Sequence, residues 1–362
     1  MDAISNATTI EKSLVQKASQ KRIPIGGSLE ILPLCNMNCD MCYVRLSREE
    51  MERKGRIRTA DEWLDLAKEM KEQGVLFLLL TGGEPFLYPE FQKLYSGLSK
   101  MGMIITINSN GTLIDEVIAD FLAGQKPRRV NITLYGKDRV TYKKLCHYEN
   151  GFEQALRGIR LLCERGIDVK LNGSLTKENR NDAEELIRIA EELQVPINID
   201  TYMYPASRER ECGFHAESRL DAKEAARAKI EIRRRMLGSK MFEEYRQQMK
   251  QISNLETPEQ IDCSLKCRAG KSSFVINWKG NMTPCVMLEY PSQNVFEEGF
   301  GNAWEYISNQ TEKIRISTIC ASCRKRKVCQ TCAACALLET GAYDKVPQYM
   351  CEYTEEMLKQ LE

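Results

Sequence analysis

The sequence predicts an α/β fold in which a parallel sheet wrapped by helices is followed by a small cysteine-rich domain. Three observations predict it. Six β-rich runs alternate with amphipathic stretches between about residues 28 and 202, nine cysteines crowd into residues 263–362, and 43% of the 362 residues are hydrophobic, ample for a buried core. Strands alternating with helical patterns signal βα units, and six of them make either an open α/β sheet or an incomplete barrel.

The strand runs are Ser28–Leu32, Val75–Leu80, Met103–Ile107, Val130–Leu134, Val169–Leu171 and Ile197–Thr201. Between them, Ala60–Gln73, Pro89–Met101, Ile114–Ala123, Phe152–Arg165 and Asn181–Leu193 repeat apolar residues at helical spacing, with Thr59 as the expected cap of the first and Asp61 as its first-turn acid. Residues 1–27 form an N-terminal extension, 28–205 the core, 206–262 a charged helical connector and 263–362 the cysteine-rich domain. In the connector, Arg233–Arg235 reads as a solvated helix face. The last domain reads as irregular, with a hairpin (Phe274–Trp278, Lys279–Gly280 turn, Met282–Val286) and a short helix near Asn302–Ser308, and as dependent on metal for its fold.

Charge and hydropathy exclude several function classes. With 52 basic and 51 acidic side chains, nothing global points to nucleic acid or to a membrane surface. No apolar run reaches the roughly 18 residues of a spanning helix, and the N-terminus lacks the apolar segment of a secretory signal, so a soluble, cytoplasmic chain is expected. In a reducing compartment, 15 cysteines at CxxC-type spacing point to metal ligation rather than disulfides.

The first strand runs directly into Cys35-Asn-Met-Asn-Cys39-Asp-Met-Cys42-Tyr43. Three thiolates so spaced can converge on one soft-metal centre, zinc or an iron–sulfur cluster. On a four-iron cubane they leave one iron open for chemistry, whereas zinc would want a fourth ligand, and neither His147 nor His215 is near in sequence. The second run, Val75–Leu80, ends in Thr81-Gly82-Gly83-Glu84-Pro85, where glycines let the backbone approach a ligand at the C-terminal end of a parallel strand.

With these two motifs the chain resembles the radical S-adenosylmethionine (SAM) superfamily, whose signature is CxxxCxxC with an aromatic often adjoining. The resemblance implies a partial (β/α)6 barrel of the TIM type. It implies a [4Fe-4S] cluster on Cys35, Cys39 and Cys42 that binds SAM and cleaves it reductively to a 5′-deoxyadenosyl radical. Gly82, Gly83, Glu84 and Pro85 resemble the family's GGEP contact to SAM. Tyr43, Ser109 and Asn110 after the third strand, and Thr133 at the end of the fourth, are further expected cofactor contacts; Asn172 and Asn179 flank the fifth strand's loop.

The second array, Cys263-x3-Cys267-x12-Gly280-x4-Cys285 and then Cys320-x2-Cys323-x5-Cys329-x2-Cys332-x2-Cys335 and Cys351, is compatible with zinc or with two four-iron clusters. Beside the first array it resembles the SPASM extension, except that one interval is x2 rather than x3. That resemblance implies two auxiliary [4Fe-4S] clusters: an inner one on Cys263, Cys267, Cys285 and Cys332, with Cys335 as the competing ligand, and an outer one on Cys320, Cys323, Cys329 and Cys351. Arg324–Lys327 either offsets the clusters' negative charge or docks an acidic electron donor of flavodoxin or ferredoxin type.

Proteins of this kind are mostly maturases of ribosomally made peptides. The resemblance therefore implies oxidative modification of a precursor peptide, a thioether or carbon–carbon cross-link. Sulfatase-maturating relatives carry an aspartate after the Gly-x4-Cys cysteine; here Val286 follows Cys285, which disfavours formylglycine formation. The 27 residues before Ser28 are too few for a winged-helix leader-binding domain, so a separate leader-binding protein is expected. Two alternatives stay open. One is peptide epimerisation with Cys212 as the catalytic hydrogen donor, and the other is a non-catalytic iron–sulfur or zinc-binding module.

Overall fold

The structure, a computed structural model, describes residues 9–205, 207–208, 218–253 and 261–362. Six strands, β1 (Gly26–Glu30), β2 (Phe77–Thr81), β3 (Ile104–Ser109), β4 (Arg129–Thr133), β5 (Val169–Ser174) and β6 (Ile197–Asp200), pair in parallel, each with its neighbour in sequence. Helices α1 (Thr9–Lys21), α2 (Arg48–Lys54), α3 (Ala60–Glu72), α4 (Phe91–Lys100), α5 (Glu116–Gly124), α6 (Arg139–Cys146), α7 (Gly151–Glu164) and α8 (Ala183–Glu192) precede or connect them. This is the expected partial barrel.

Local chemistry explains the elements. On α3, Trp63, Leu66, Ala67 and Met70 form a buried stripe, and Thr59 and Glu62 close a reciprocal capping box. Strands β2 and β4, covered on both faces, are buried along almost their whole length. The first strand begins two residues earlier than the hydrophobic pattern suggests, because Gly26 and Gly27 belong to it. A Cβ on Gly27 would lie 2.2 Å from the Phe274 ring, so only glycine leaves that ring its place.

Phe274 belongs to the C-terminal part, whose expected hairpin is present as β7 (Ser273–Ile276) and β8 (Asn281–Thr283), with β9 (Gln293–Asn294) beside β8. Strand β7 also pairs in parallel with β1, giving one nine-stranded sheet ordered β6-β5-β4-β3-β2-β1-β7-β8-β9. The expectation of an irregular C-terminal segment is corrected by five helices beyond a long α9 (Ala222–Ser253), which is kinked at Gly238: the one-turn α10 (Val295–Glu298), α11 (Phe300–Glu312), the one-turn α12 (Thr318–Ala321), α13 (Ala333–Thr340) and α14 (Gln348–Lys359). Their apolar faces are short but fully used. Phe300 and Trp304 of α11 pack edge-on to Phe274, and α14 buries Met350, Tyr353 and Met357, packing along α9. Arg235 of the presumed solvated triplet is instead paired with Glu184 and Glu191 of α8. Among the described residues no helix is long and apolar enough to cross a membrane.

Candidate active site

The C-terminal ends of the parallel strands open at one end of the barrel, and the loop after β1 carries Cys35, Cys39 and Cys42 there. Backbone hydrogen bonds from Asn38 to the Cys146 carbonyl (2.9 Å) and from Asp40 to that of Leu145 (3.0 Å) clamp this loop to α6, reinforced by His147 Nε2 against Asp40 Oδ1 at 2.7 Å. Donors already face the sulfurs. Met37 N–H lies 3.4 Å and Asn110 Nδ2 3.6 Å from Cys35 Sγ, and Arg45 N–H lies 3.3 Å from Cys42 Sγ. Burial pushes the Cys35 thiol far up, an effect that a bound cationic centre reverses.

The three cysteines line a cavity of about 180 Å³ together with Tyr43, Gly82, Gly83, Ser109, Asn110 and Thr133, six of the eight expected cofactor contacts. No three cysteine, histidine or carboxylate side chains among the described residues meet closely enough for a single ion. Three thiols on one loop, two of them met by N–H donors, fit the donor set of an iron–sulfur cluster. The loop after β2 is pressed against the exit of β1: Gly83 N–H donates to Leu32 O at 2.8 Å, and a Cβ on Gly83 would lie 2.1 Å from Leu34 O.

Glu84 and Pro85 lie outside the cavity. Glu84 is fully buried as a strut: its carboxylate accepts from Ser109 Oγ (2.9 Å), Asn110 N–H (2.8 Å) and Phe86 N–H (3.2 Å), while burial lifts its pKa to about 7. Pro85 starts a short 3₁₀ turn. Asn179, also fully buried, spends its amide on the Tyr135 and Ser174 carbonyls and acts as a loop brace.

A second cavity of about 530 Å³ adjoins the first, sharing Tyr43, Val44, Thr81, Gly82 and Asn108 as a common wall. Its far side is formed by Cys267, Cys285 and the start of β7, so it lies between the two cysteine arrays. Its charged lining residues are Arg268 and Glu30. Glu30, 1% exposed, forms a two-pronged ion pair with Arg208 at 2.7 Å, and the Arg208 guanidinium lies 5.4 Å from the centre of the Tyr43 ring. None of these three charged groups stood out in the sequence; a carboxylate closing a buried strand was the available signal for Glu30.

A profile of the radical SAM superfamily matches residues 29–190, and one described as an iron–sulfur cluster-binding domain, SPASM, matches residues 267–336. The chain joins a radical SAM domain to a SPASM domain. Similar proteins include an AdoMet-dependent heme synthase of Methanosarcina barkeri, 24% identical over 90% of this chain and 95% of that one. The sporulation killing factor maturation protein SkfB of Bacillus subtilis is 22% identical over 77% of this chain and 64% of its own. The structure of Streptococcus suis SuiB bound to precursor peptide SuiA superposes with a TM-score of 0.68 at 18% identity, covering 94% of this chain and 80% of that one.

Within the SPASM part the thiols fall into two groups. Cys320, Cys323, Cys329 and Cys351 lie in one another's electrostatic field. Cys285, whose thiol burial pushes up, feels Cys332 and Cys267, and Cys263 packs in the same apolar cluster as Cys285 and Cys332. Cys332 caps α13, its sulfur accepting from Cys335 N–H at 3.4 Å. The Cys335 sulfur, 1% exposed, faces Tyr202 Oη instead, at 3.1 Å. Of the basic run, Arg324 and Lys327 are exposed beside Cys323, while Lys325 pairs with Glu355 and Arg326 donates to Thr331 O. Cys163 is half-buried on α7, packed against the core; Cys212 and His215 lie outside the described residues.

Proposed function

We propose that this protein is a radical SAM/SPASM oxidoreductase that modifies a ribosomally synthesised peptide by a two-electron oxidation, forming a thioether or carbon–carbon cross-link. The observation that carries the reading is the 530 Å³ chamber between the SAM-side cavity and the wall bearing Cys267 and Cys285. When bound, SAM and the clusters supply a hydrogen-abstracting 5′-deoxyadenosyl radical and an electron sink. Cys35, Cys39 and Cys42 hold the barrel cluster, and Gly82 and Gly83 bring backbone close to SAM. Tyr43, fixed under Arg208, stands between cofactor and substrate. Cys263, Cys267, Cys285 and Cys332 hold the inner auxiliary cluster, and Cys320, Cys323, Cys329 and Cys351 the outer one. The partners in this reading are the precursor peptide, a separate leader-binding protein, and a flavodoxin- or ferredoxin-type donor meeting Arg324 and Lys327.

A second reading, heme synthesis, is favoured by the end-to-end match to heme synthases. The chamber's charge does not separate the two readings: Glu30 is already engaged with Arg208, and Arg268 would meet a carboxylate of either substrate.

The deciding experiment is anaerobic reconstitution with iron and sulfide, then incubation with SAM, reductant and either a short peptide encoded beside the gene or a porphyrin precursor of heme. The expected result is about 12 irons per chain, 5′-deoxyadenosine, and a peptide lighter by two hydrogens. Zinc alone or no 5′-deoxyadenosine overturns the enzyme reading, and porphyrin turnover selects heme synthesis. Solvent deuterium at a peptide α-carbon selects epimerisation.

A further inference from the structure

We propose that Tyr204 is a positioning residue for the inner auxiliary cluster, its hydroxyl donating to the sulfur of Cys332 and so setting how readily that cluster is reduced. The inference rests on Cys332 being a ligand of that cluster, as in the function proposed above. Tyr204 follows β6, at the barrel's exit, whereas Cys332 belongs to the SPASM part, and Tyr204 Oη lies 3.7 Å from Cys332 Sγ. A thiolate has no proton to give, so once Cys332 binds iron the tyrosine is the donor. The sulfur then accepts from two directions, from Tyr204 O–H and from Cys335 N–H at 3.4 Å.

The neighbourhood holds this geometry. Tyr202 packs edge-on against Tyr204, ring centres 5.0 Å apart, and its own hydroxyl is committed to Cys335 Sγ and Glu339 Oε1, each at 3.1 Å. Glu339 is gripped by Arg219, which lies 3.6 Å from the centre of the Tyr349 ring. Two adjacent tyrosines thus serve two cysteines three residues apart, and only Tyr204 reaches the one that shares a field with Cys285. A hydrogen bond to a cluster sulfur stabilises the more negative, reduced state and raises the potential. The segment that leaves the barrel's last strand would in this way tune an electron acceptor that the SPASM part holds.

The test uses full-length protein carrying Cys35→Ala, Cys39→Ala and Cys42→Ala, which removes the barrel cluster, reconstituted anaerobically and titrated by EPR. Tyr204→Phe is expected to leave iron content unchanged and to make reduction of one auxiliary couple about tenfold less favourable, about 59 mV lower for one electron. Tyr202→Phe is expected to leave that couple in place. Pulsed EPR in D₂O on the unsubstituted tyrosine background should detect an exchangeable deuteron coupled to the inner cluster, which Tyr204→Phe removes. Cys335 N–H exchanges as well, so the deuteron belonging to Tyr204 is the one lost in the variant. Should that variant fail to fold, 3-fluorotyrosine incorporated in the Tyr202→Phe background, which makes the Tyr204 phenol a stronger donor, is expected to raise the same couple, and an unmoved couple then overturns the proposal. No such deuteron, an unshifted couple, or an equal shift from Tyr202→Phe overturns the proposal. Failure of the parent to bind about eight irons overturns the reading beneath it.

Discussion

Glu84 sits in the loop that the sequence marks for SAM, yet its carboxylate is fully buried and spent on Ser109, Asn110 and Phe86. Its folded pKa, about 7 against an ordinary 4.5, means that the folded chain holds this proton more tightly than the unfolded one. Stability from this group is therefore full below about pH 4.5 and is lost as pH rises through about 7, a change of order a few kcal/mol. The unfolding midpoint of wild type should fall across that window, and Glu84→Gln should flatten the fall at a cost of about 1–3 kcal/mol at acidic pH. A pH profile that the substitution leaves unaltered would rule Glu84 out as its source. Next to it, Gly83→Ala puts a methyl 2.1 Å from Leu34 O and must lift the loop off the cysteine-bearing segment. The expected effect, read by equilibrium dialysis on reconstituted protein, is at least a tenfold weaker hold on SAM, about 1.4 kcal/mol; unchanged affinity would mean that this close approach does not shape the SAM site.

At the scale of elements, the joint between β1 and β7 decides whether the SPASM part is fixed to the barrel. Gly27 faces Phe274 across that pair, and the phenyl ring occupies the space a side chain would take. Gly27→Val is expected to destabilise the protein by about 1–3 kcal/mol in denaturant titration and to open the chamber wall that β7 forms. Stability equal to wild type would show that the two strands separate without cost. Most of the α/β unit was legible in sequence because each helix and strand carries its own period: the stripe of α3 and the buried run of β2 need no distant partner to be seen. The β1–β7 joint was not legible, since pairing of Gly27 with the distant Phe274 leaves no local trace and two glycines look like a turn. Helix α6 went unread for a similar reason. Its purpose is to hold the loop of Cys35, Cys39 and Cys42 by main-chain bonds to Leu145 and Cys146, and backbone bonds have no residue signature. The cysteine spacings announced which thiols matter, but that Cys332 faces Cys285 while Cys335 faces Tyr202 follows only from the direction of α13.

The whole molecule is arranged as a sequence of cavities and thiols along one sheet and its C-terminal cover: the cavity lined by Cys35, Cys39 and Cys42, the chamber with Glu30 and Arg268, then the two SPASM thiol groups. The two SPASM thiol groups stand on different elements. Cys285 follows β8 and Cys332 caps α13, while Cys320 lies on α12 and Cys351 on α14, whose Met350, Tyr353 and Met357 are buried in its packing along α9. Independent supports predict independent loading. Cys351→Ser should therefore lose about four irons, keep the inner cluster's spectrum, and still form 5′-deoxyadenosine with a chemical reductant, because no outer thiol lines the chamber. Cys35→Ser should lose a similar amount of iron and all 5′-deoxyadenosine. Iron counting with EPR on the two variants checks both. Loss of the inner cluster's signal in Cys351→Ser would mean that the SPASM part folds as one metal-dependent unit, with α14 held to α9 only when every thiol is engaged.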